Sequence, residues 1–251
     1  ERDVMEYDVL IIGGGPSGLS SAIKVKQLAS AEGKDVSVCV LEKGSEIGAH
    51  ILSGNVFEPT ALNELIPDWK EKEAPLNSPA TKDIVKFMIS ENSSFNIPFP
   101  SFLIPTFNNH GNYVMSLANF TRWLATQAES LGVEIFPGFT AAEVIFEENV
   151  VKGVLTGEMG ISKDGEKKPS YQPSMELRGK YTVFAEGCRG HLGKQLIKKF
   201  NLDENRDPQH YGIGFKEIWD ISPEDHKEGT VMHTMGWPSN GTISGSYFYH
   251  G

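Results

Sequence analysis

Three glycines near the amino terminus have the spacing of a dinucleotide-binding turn. Gly13, Gly15 and Gly18 form a G-x-G-x-x-G pattern directly after an apolar run. In this pattern the first glycine permits a tight strand-to-helix turn, the second lets a pyrophosphate approach the backbone, and the third lets the helix pack closely on the sheet. The phosphates then accept hydrogen bonds from the backbone N–H groups at the positive end of the helix. The spacing therefore predicts a site for an adenine dinucleotide.

An acidic residue, Glu42, ends the next apolar run. A carboxylate in this place accepts a hydrogen bond from a ribose hydroxyl and repels a 2′-phosphate, so NADP fits poorly. The alternative is a purely structural glycine turn, but the strand before it, the helix after it and the terminal acid favour the nucleotide. The other residues predicted to contact the nucleotide lie in the turn or follow the acid: Gly14, Pro16, Ser17 and Lys43.

Hydrophobic periodicity predicts the elements that position these residues. Residues 9–12 and 36–41 form strands around a helix that ends near Gly33, which makes a βαβ unit. The later pattern predicts a short helix at 59–65, helices at 117–131 and 192–200, strands at 133–136 and 175–186, and a hairpin at 142–154. From Tyr211 onward we expect β-structure that ends in a strand at 246–250. The order of elements indicates an α/β fold.

Composition excludes several classes of protein. The chain has 251 residues and a net charge of −10, so no basic field attracts nucleic acid. Its length suits one large domain or two interleaved ones. The two cysteines, Cys39 and Cys188, lack metal-ligand spacing, so we predict no metal site. No stretch approaches the roughly 18 apolar residues that span a bilayer.

The segment 95–107 carries no charge and is rich in phenylalanine and proline. Such a segment is costly to expose, so it forms either buried core or a contact surface. Its large apolar residues are Phe95, Ile97, Phe99, Phe102, Leu103, Ile104 and Phe107.

Several longer strings are more specific than the glycine turn. They are EKGSEIGAHILSG at 42–54, PDWKEK at 67–72, APLN at 74–77, NNHGNY at 108–113, FAEGCRGHL at 184–192 and HTMGWP at 233–238. With these strings the sequence closely resembles the electron transfer flavoprotein:ubiquinone oxidoreductase family, from near Tyr7 to the last residue. The resemblance implies FAD, an iron–sulfur cluster, and electron transfer from electron transfer flavoprotein to ubiquinone at a membrane surface. That surface is the matrix side of the mitochondrial inner membrane, or the cytoplasmic face of a bacterial inner membrane.

The resemblance also implies site residues. One loop would run along the flavin, although an ordinary strand-to-helix connection is the alternative; its residues are Gly48, Ala49, His50, Leu52, Ser53 and Gly54. A returning strand would end near the dinucleotide, or simply in a glycine turn, at Ala185, Glu186 and Gly187. The quinone would contact Ser244 and Gly245, where the family has two glycines, so a Cβ enters that pocket. The segment 95–107 would dip into one leaflet of the membrane.

The implied architecture is a Rossmann-like FAD-binding domain of the glutathione-reductase type with an inserted mixed β-sheet and quinone-binding region. The expected parts are 1–94 and 117–200 for the FAD domain, 95–116 for the membrane segment, and 201–251 for the start of the quinone domain. We expect a monomer. Electron transfer needs no side-chain nucleophile, so we predict no catalytic residue.

The family's polypeptide continues beyond residue 251 and carries its cluster ligands there. A cluster needs about four thiolates, so we expect none in this chain. A second flavin-contacting segment also lies beyond residue 251 in the family, which predicts a fragment or the visible part of a longer chain. Two alternatives stay open: another FAD-dependent reductase of the same superfold, such as a geranylgeranyl-reductase relative, and a non-catalytic, truncated dinucleotide-binding fragment.

Overall fold

The computed structural model describes residues 2–98, 107–239 and 244–251. The chain divides into two units, one from residues 1–51 and 121–213 and one from residues 52–120 and 214–251. The domain boundaries expected from the resemblance stay predictions. In chain order the elements are β1 (Val4–Ile12), α1 (Pro16–Ala31), β2 (Val38–Glu42), β3 (Asn55–Phe57), α2 (Thr60–Leu65), β4 (Ser78–Pro79), β5 (Lys82–Ser90), β6 (Ser93–Asn96), β7 (Tyr113–Met115), α3 (Leu117–Ser130), β8 (Glu134–Pro137), β9 (Ala141–Glu147), β10 (Val150–Thr156), β11 (Met159–Ile161), β12 (Lys167–Gln172), β13 (Glu176–Phe184), α4 (His191–Phe200), β14 (Thr230–Gly236) and β15 (Gly245–Tyr249).

A six-stranded sheet of order β8-β2-β1-β13-β10-β9 organises the first unit. Its four strands β8, β2, β1 and β13 are parallel, whereas β10 pairs antiparallel with β13 and β9. Leu10 and Ile11 of β1 are both fully buried although they point to opposite faces, because a parallel sheet is covered on both sides. This explains why β1 and β2 have unbroken apolar runs instead of alternating patterns.

The first helix, α1, follows directly from the glycine turn. Gly15 is its N-cap and Pro16 its first residue, a place where the missing proline N–H costs nothing. The helix buries Leu19 and Ile23 against the sheet. It ends before Gly33, whose φ of +63° suits glycine and whose N–H donates to Ser30 O at 3.1 Å. The predicted βαβ unit is therefore confirmed.

Two further sheets form the second unit, a four-stranded one of order β15-β14-β5-β6 and a three-stranded one of order β3-β7-β4. β14 runs parallel to β5 and antiparallel to β15. Ala80, Val114 and Val231 form a buried cluster, and Tyr249 packs against it.

The structure differs from the sequence-based prediction in several segments of this region. Residues 206–222 contain no strand, so the predicted β-structure begins at Thr230 instead of Tyr211. Conversely, the sequence-based prediction has no strand where β3, β4, β5, β6 and β7 lie. A strand partner distant in the sequence, here β14, stabilises β5, and local propensity does not reveal such a partner.

Candidate functional site

Gly13 occupies a position that only glycine tolerates. Its φ is +112°, and its N–H donates to Leu41 O at 2.8 Å. A Cβ on Gly13 would lie 2.4 Å from Ala185 O, which belongs to the backbone just beyond β13. The turn is therefore held between the ends of β2 and β13, at the carboxyl edge of the parallel strands where nucleotides bind in such folds.

Gly18 and Gly15 differ in the space around them. A Cβ on Gly18 would lie 2.0 Å from Gly13 O, so this glycine allows the helix to pack on the turn. A Cβ on Gly15 would have no heavy atom within 4 Å. Internal packing therefore explains Gly18 but leaves Gly15 unexplained, and Gly15 is the position at which a pyrophosphate is expected to approach.

The amino terminus of α1 is suited to an anion. No side chain caps it, and its first turn carries no acidic residue. The first N–H groups of a helix have no partner within the helix, and the helix dipole makes this end positive. Because no carboxylate of this turn competes for these groups, a phosphate fits them.

The carboxylate of Glu42 is oriented by the backbone on both sides. Its Oε2 accepts the N–H of Gly14 at 2.9 Å, and its Oε1 accepts the N–H of Gly44 at 2.7 Å. Each oxygen has a second lone pair, which can accept a ribose hydroxyl. The structure thus brings Glu42 to the glycine turn. Lys43 follows with an exposed side chain.

The residues after β13 have separable roles. The N–H of Ala185 donates to Ile12 O at 2.8 Å and extends the pairing of β13 with β1. The carboxylate of Glu186 instead accepts the N–H groups of Leu192 and Gly193, at 3.1 and 2.9 Å, and caps α4. This capping role was not foreseen from the sequence, although a carboxylate just before a helix is a familiar cap signal.

The predicted flavin loop contains residues of both units. Residues 48–51 belong to the first unit, where Gly48 is buried and Ala49 and His50 are exposed. In the second unit Leu52 is exposed, and Ser53 shares a hydrogen bond of 2.7 Å with the hydroxyl of Ser116.

Sequence reasoning missed Lys216, whose ammonium donates to the loop at Ser53 O and Gly54 O. A lone cation inside the apolar run 211–219 was the available signal.

The predicted quinone contacts lie at the start of β15. Ser244 is exposed, and Gly245 pairs with Met235 of β14. A Cβ on Gly245 would lie 2.7 Å from Thr234 O, so glycine is required there for strand packing.

Of the predicted membrane residues, Phe95 is half exposed and its ring lies 5.6 Å from that of Phe87. The N–H of Ile97 donates to Val85 O at 2.8 Å, and the Phe107 ring lies 5.6 Å from that of His233. The remaining four lie outside the described residues: Phe99, Phe102, Leu103 and Ile104.

Burial shifts the pKa values of several side chains, among them Cys39 and His233. Desolvation raises the pKa of Cys39 to about 12, which favours the neutral thiol over the nucleophilic thiolate. Desolvation lowers the pKa of His233, and the charge of Asp83 opposes that shift.

Among the residues that the structure describes, no group of three His, Cys, Asp or Glu side chains could hold a metal ion. Within the same residues, no helix has the length and apolarity to cross a membrane.

Comparison with known proteins agrees with this geometry. The family model of the ETF-QO ubiquinone-binding domain matches residues 211–251, and that of the NAD(P)-binding Rossmann-like domain matches residues 11–66. The electron transfer flavoprotein-ubiquinone oxidoreductase of Pseudomonas aeruginosa is 59% identical over 100% of this chain and 46% of its own length. The mitochondrial protein of that name from Homo sapiens is 50% identical over 100% of this chain and 40% of its own length.

Over its whole length the chain is similar to members of the electron transfer flavoprotein-ubiquinone oxidoreductase family. This confirms the resemblance seen in the sequence. The chain spans less than half the length of these two curated relatives.

Solved structures confirm the predicted fold class. A geranylgeranyl bacteriochlorophyll reductase-like protein from Thermoplasma acidophilum has a TM-score of 0.57 at 18% identity, over 93% of this chain and 51% of its own. A flavoprotein/dehydrogenase from Cytophaga hutchinsonii has a TM-score of 0.52 at 18% identity, over 92% of this chain and 50% of its own. At this identity the likeness shows a shared α/β fold and nothing about substrate.

Proposed function

We propose that this chain binds FAD and forms the flavin and quinone-site portion of an enzyme that passes electrons from reduced electron transfer flavoprotein to ubiquinone. The observation that carries the FAD proposal is the open space at Gly15, next to two glycines that packing accounts for. The similarity to these relatives supports electron transfer flavoprotein as the electron donor and ubiquinone as the acceptor.

The residues of the first unit fit the ADP half of FAD. The uncapped amino terminus of α1 offers N–H groups to the pyrophosphate. Glu42 is already oriented by two backbone N–H groups, so it accepts a ribose hydroxyl without losing side-chain freedom on binding. Gly13 and Gly18 hold the turn in the required shape. Ala185 and Gly187 would line the same edge of the sheet through their backbone, because the Glu186 carboxylate is engaged by α4.

FAD, when bound, supplies the redox chemistry, and the protein supplies orientation and electrostatics. The loop 48–54 would contact the flavin, and Ser244 and Gly245 would contact the quinone head group. Cys39 and Cys188 are fewer than the about four thiolates of a cluster, so we place no iron–sulfur cluster within these residues.

The place of action that we propose is a membrane surface, the mitochondrial inner membrane on its matrix side or the bacterial inner membrane on its cytoplasmic face. Relatives from both kinds of organism support this. The segment 95–107 would insert into one leaflet without spanning the bilayer. We propose that the chain acts as a monomer.

Reconstitution with FAD tests the cofactor proposal. After incubation with FAD and gel filtration, we expect a yellow protein with flavin absorption bands. NADP should not displace the flavin, because Glu42 repels a 2′-phosphate. A folded but colourless chain would overturn the proposal and favour the non-catalytic fragment. If flavin binds, ubiquinone reduction by reduced electron transfer flavoprotein, assayed with the full-length protein, separates this function from that of another reductase of the same superfold.

Vesicle flotation tests the membrane proposal. Replacing Phe99, Phe102 and Leu103 together with serine should lower co-flotation with liposomes and leave far-ultraviolet circular dichroism unchanged. The matched control replaces three exposed apolar residues of the first unit with serine: Val4, Leu28 and Val150. Equal flotation of the two triple variants would contradict the proposal.

A further inference from the structure

Lys216 has an unusual environment for a surface lysine. Its neighbours in the segment 211–219 expose their apolar side chains, with Ile213 90%, Phe215 91% and Trp219 70% accessible. In the stretch 211–220, every residue of which is described, Lys216 alone is half-buried. A cation is buried in this way when it gains hydrogen-bond partners that offset its lost hydration.

The partners of Lys216 lie in the loop that precedes β3 and at the first residue of that strand. Its Nζ donates to Gly54 O at 2.5 Å, to Asn55 Oδ1 at 3.1 Å and to Ser53 O at 3.3 Å. An ammonium group has three N–H bonds, so this set uses its full donor capacity. Hydrogen bonds from a charged donor are stronger than neutral ones, and three of them define the path of a short loop. Gly54 has a φ of +81°, a conformation in which other residues are strained.

Lys216 also touches β15. Its Nζ lies 5.3 Å from the centre of the Tyr247 ring, within the range of a cation–π contact. Tyr247 stacks on Tyr249 with ring centres 5.0 Å apart, and Tyr249 packs against the buried cluster of the second unit. The same ammonium therefore connects the loop 53–55 to a strand anchored in the core.

We propose that Lys216 is a positioning residue that holds the loop 53–55 in place relative to β15. Its consequence for flavin rests on the proposed function: the loop carries predicted flavin contacts at Ser53 and Gly54, and β15 begins at the predicted quinone contact Gly245. The Lys216 side chain would thus position both the loop 53–55 and β15.

Hydrogen exchange measured by mass spectrometry tests, without any cofactor, whether Lys216 holds the loop 53–55 in place. In Lys216→Met we expect roughly tenfold faster amide exchange over residues 53–57, because three hydrogen bonds from a charged donor are lost. Lys216→Arg keeps the charge and several donors and should restore most of the protection. The matched control is Lys168→Met, which removes an exposed lysine of β12 in the first unit and should change nothing. Unchanged exchange in Lys216→Met overturns the proposal.

A second variant keeps the test decisive if Lys216→Met does not fold. Tyr247→Leu removes the ring and leaves the ammonium, and should raise exchange over 245–249 by about twofold to fivefold, as expected for loss of a cation–π contact. Equal exchange in Tyr247→Leu and the unsubstituted chain would then overturn the link to β15.

Titration with FAD tests the consequence for the cofactor. Lys216→Met should bind FAD roughly tenfold more weakly and alter the visible circular dichroism of the bound flavin, and Lys216→Arg should restore both. Altered exchange with unchanged flavin affinity and spectrum would overturn the flavin part alone. If the unsubstituted chain takes up no FAD, the proposed function fails, and the exchange experiment still decides the role of Lys216.

Discussion

Replacing Gly15 with alanine should separate cofactor binding from folding. The added Cβ would have no heavy atom within 4 Å, and the backbone at Gly15, with φ −81° and ψ 179°, is one that alanine adopts readily. Gly15 therefore has no steric role within the chain. If a pyrophosphate approaches this backbone, the methyl group occupies its place.

The two expected effects differ in size. Alanine is a poorer N-cap than glycine, so the free energy of unfolding should change by less than about 1 kcal/mol. Binding loses at least one charge-assisted hydrogen bond to phosphate, worth about 1.5–3 kcal/mol, so FAD should bind roughly tenfold to a hundredfold more weakly.

Urea unfolding and FAD titration by flavin fluorescence measure the two effects on the same preparation. The matched control is Gly212→Ala, also at an open position of the first unit, which should alter neither quantity. A Gly15→Ala protein that is stably folded and binds FAD as tightly as the unsubstituted chain would refute the reasoning, because the pyrophosphate would then lie elsewhere.

Three further predictions concern stability. Gly18→Ala should lower the free energy of unfolding by about 2 kcal/mol in urea titration, because its Cβ would lie 2.0 Å from Gly13 O; full stability would contradict the packing argument. Glu186→Ala should lower it by about 1 kcal/mol through loss of the cap on α4, whereas a neutral outcome would show that water replaces the cap. The hydrogen bond from Lys180 and those from Ser37 lower the pKa of Asp8 to about 2. The stabilisation from ionised Asp8 should therefore be present above about pH 4 and be lost as the pH falls toward 2. An Asp8 carboxyl that titrates near pH 4 by NMR would contradict this.

Local pattern was sufficient for the nucleotide-binding half of the fold. The strands β1 and β2, the helix α1 and the turn between them follow from adjacent residues: an apolar run, glycines at set spacing and a proline at the helix start. The helix α3 and the strand β13 were likewise predicted from periodicity. In each of these elements, propensity and burial pattern favour the same structure, so the sequence alone identifies it.

Pairing between distant segments was not visible in this way. The strand β5 forms beside β14, and the apolar segment 211–219 stays without a strand although its alternation resembles one. A strand needs a partner for its backbone hydrogen bonds, and the identity of that partner depends on the packing of the whole unit.

The sequence by itself predicted a nucleotide-binding turn at Gly13, Gly15, Gly18 and Glu42, and it revealed the resemblance to a flavoprotein family. Only the tertiary structure decided which glycine is open to a ligand, because the atoms that exclude a Cβ at Gly13 belong to the chain beyond β13. The tertiary structure also assigned the Glu186 carboxylate to α4 and the Lys216 ammonium to the loop 53–55. Both assignments are hydrogen bonds whose partners are brought together by folding, and spacing along the chain does not encode them.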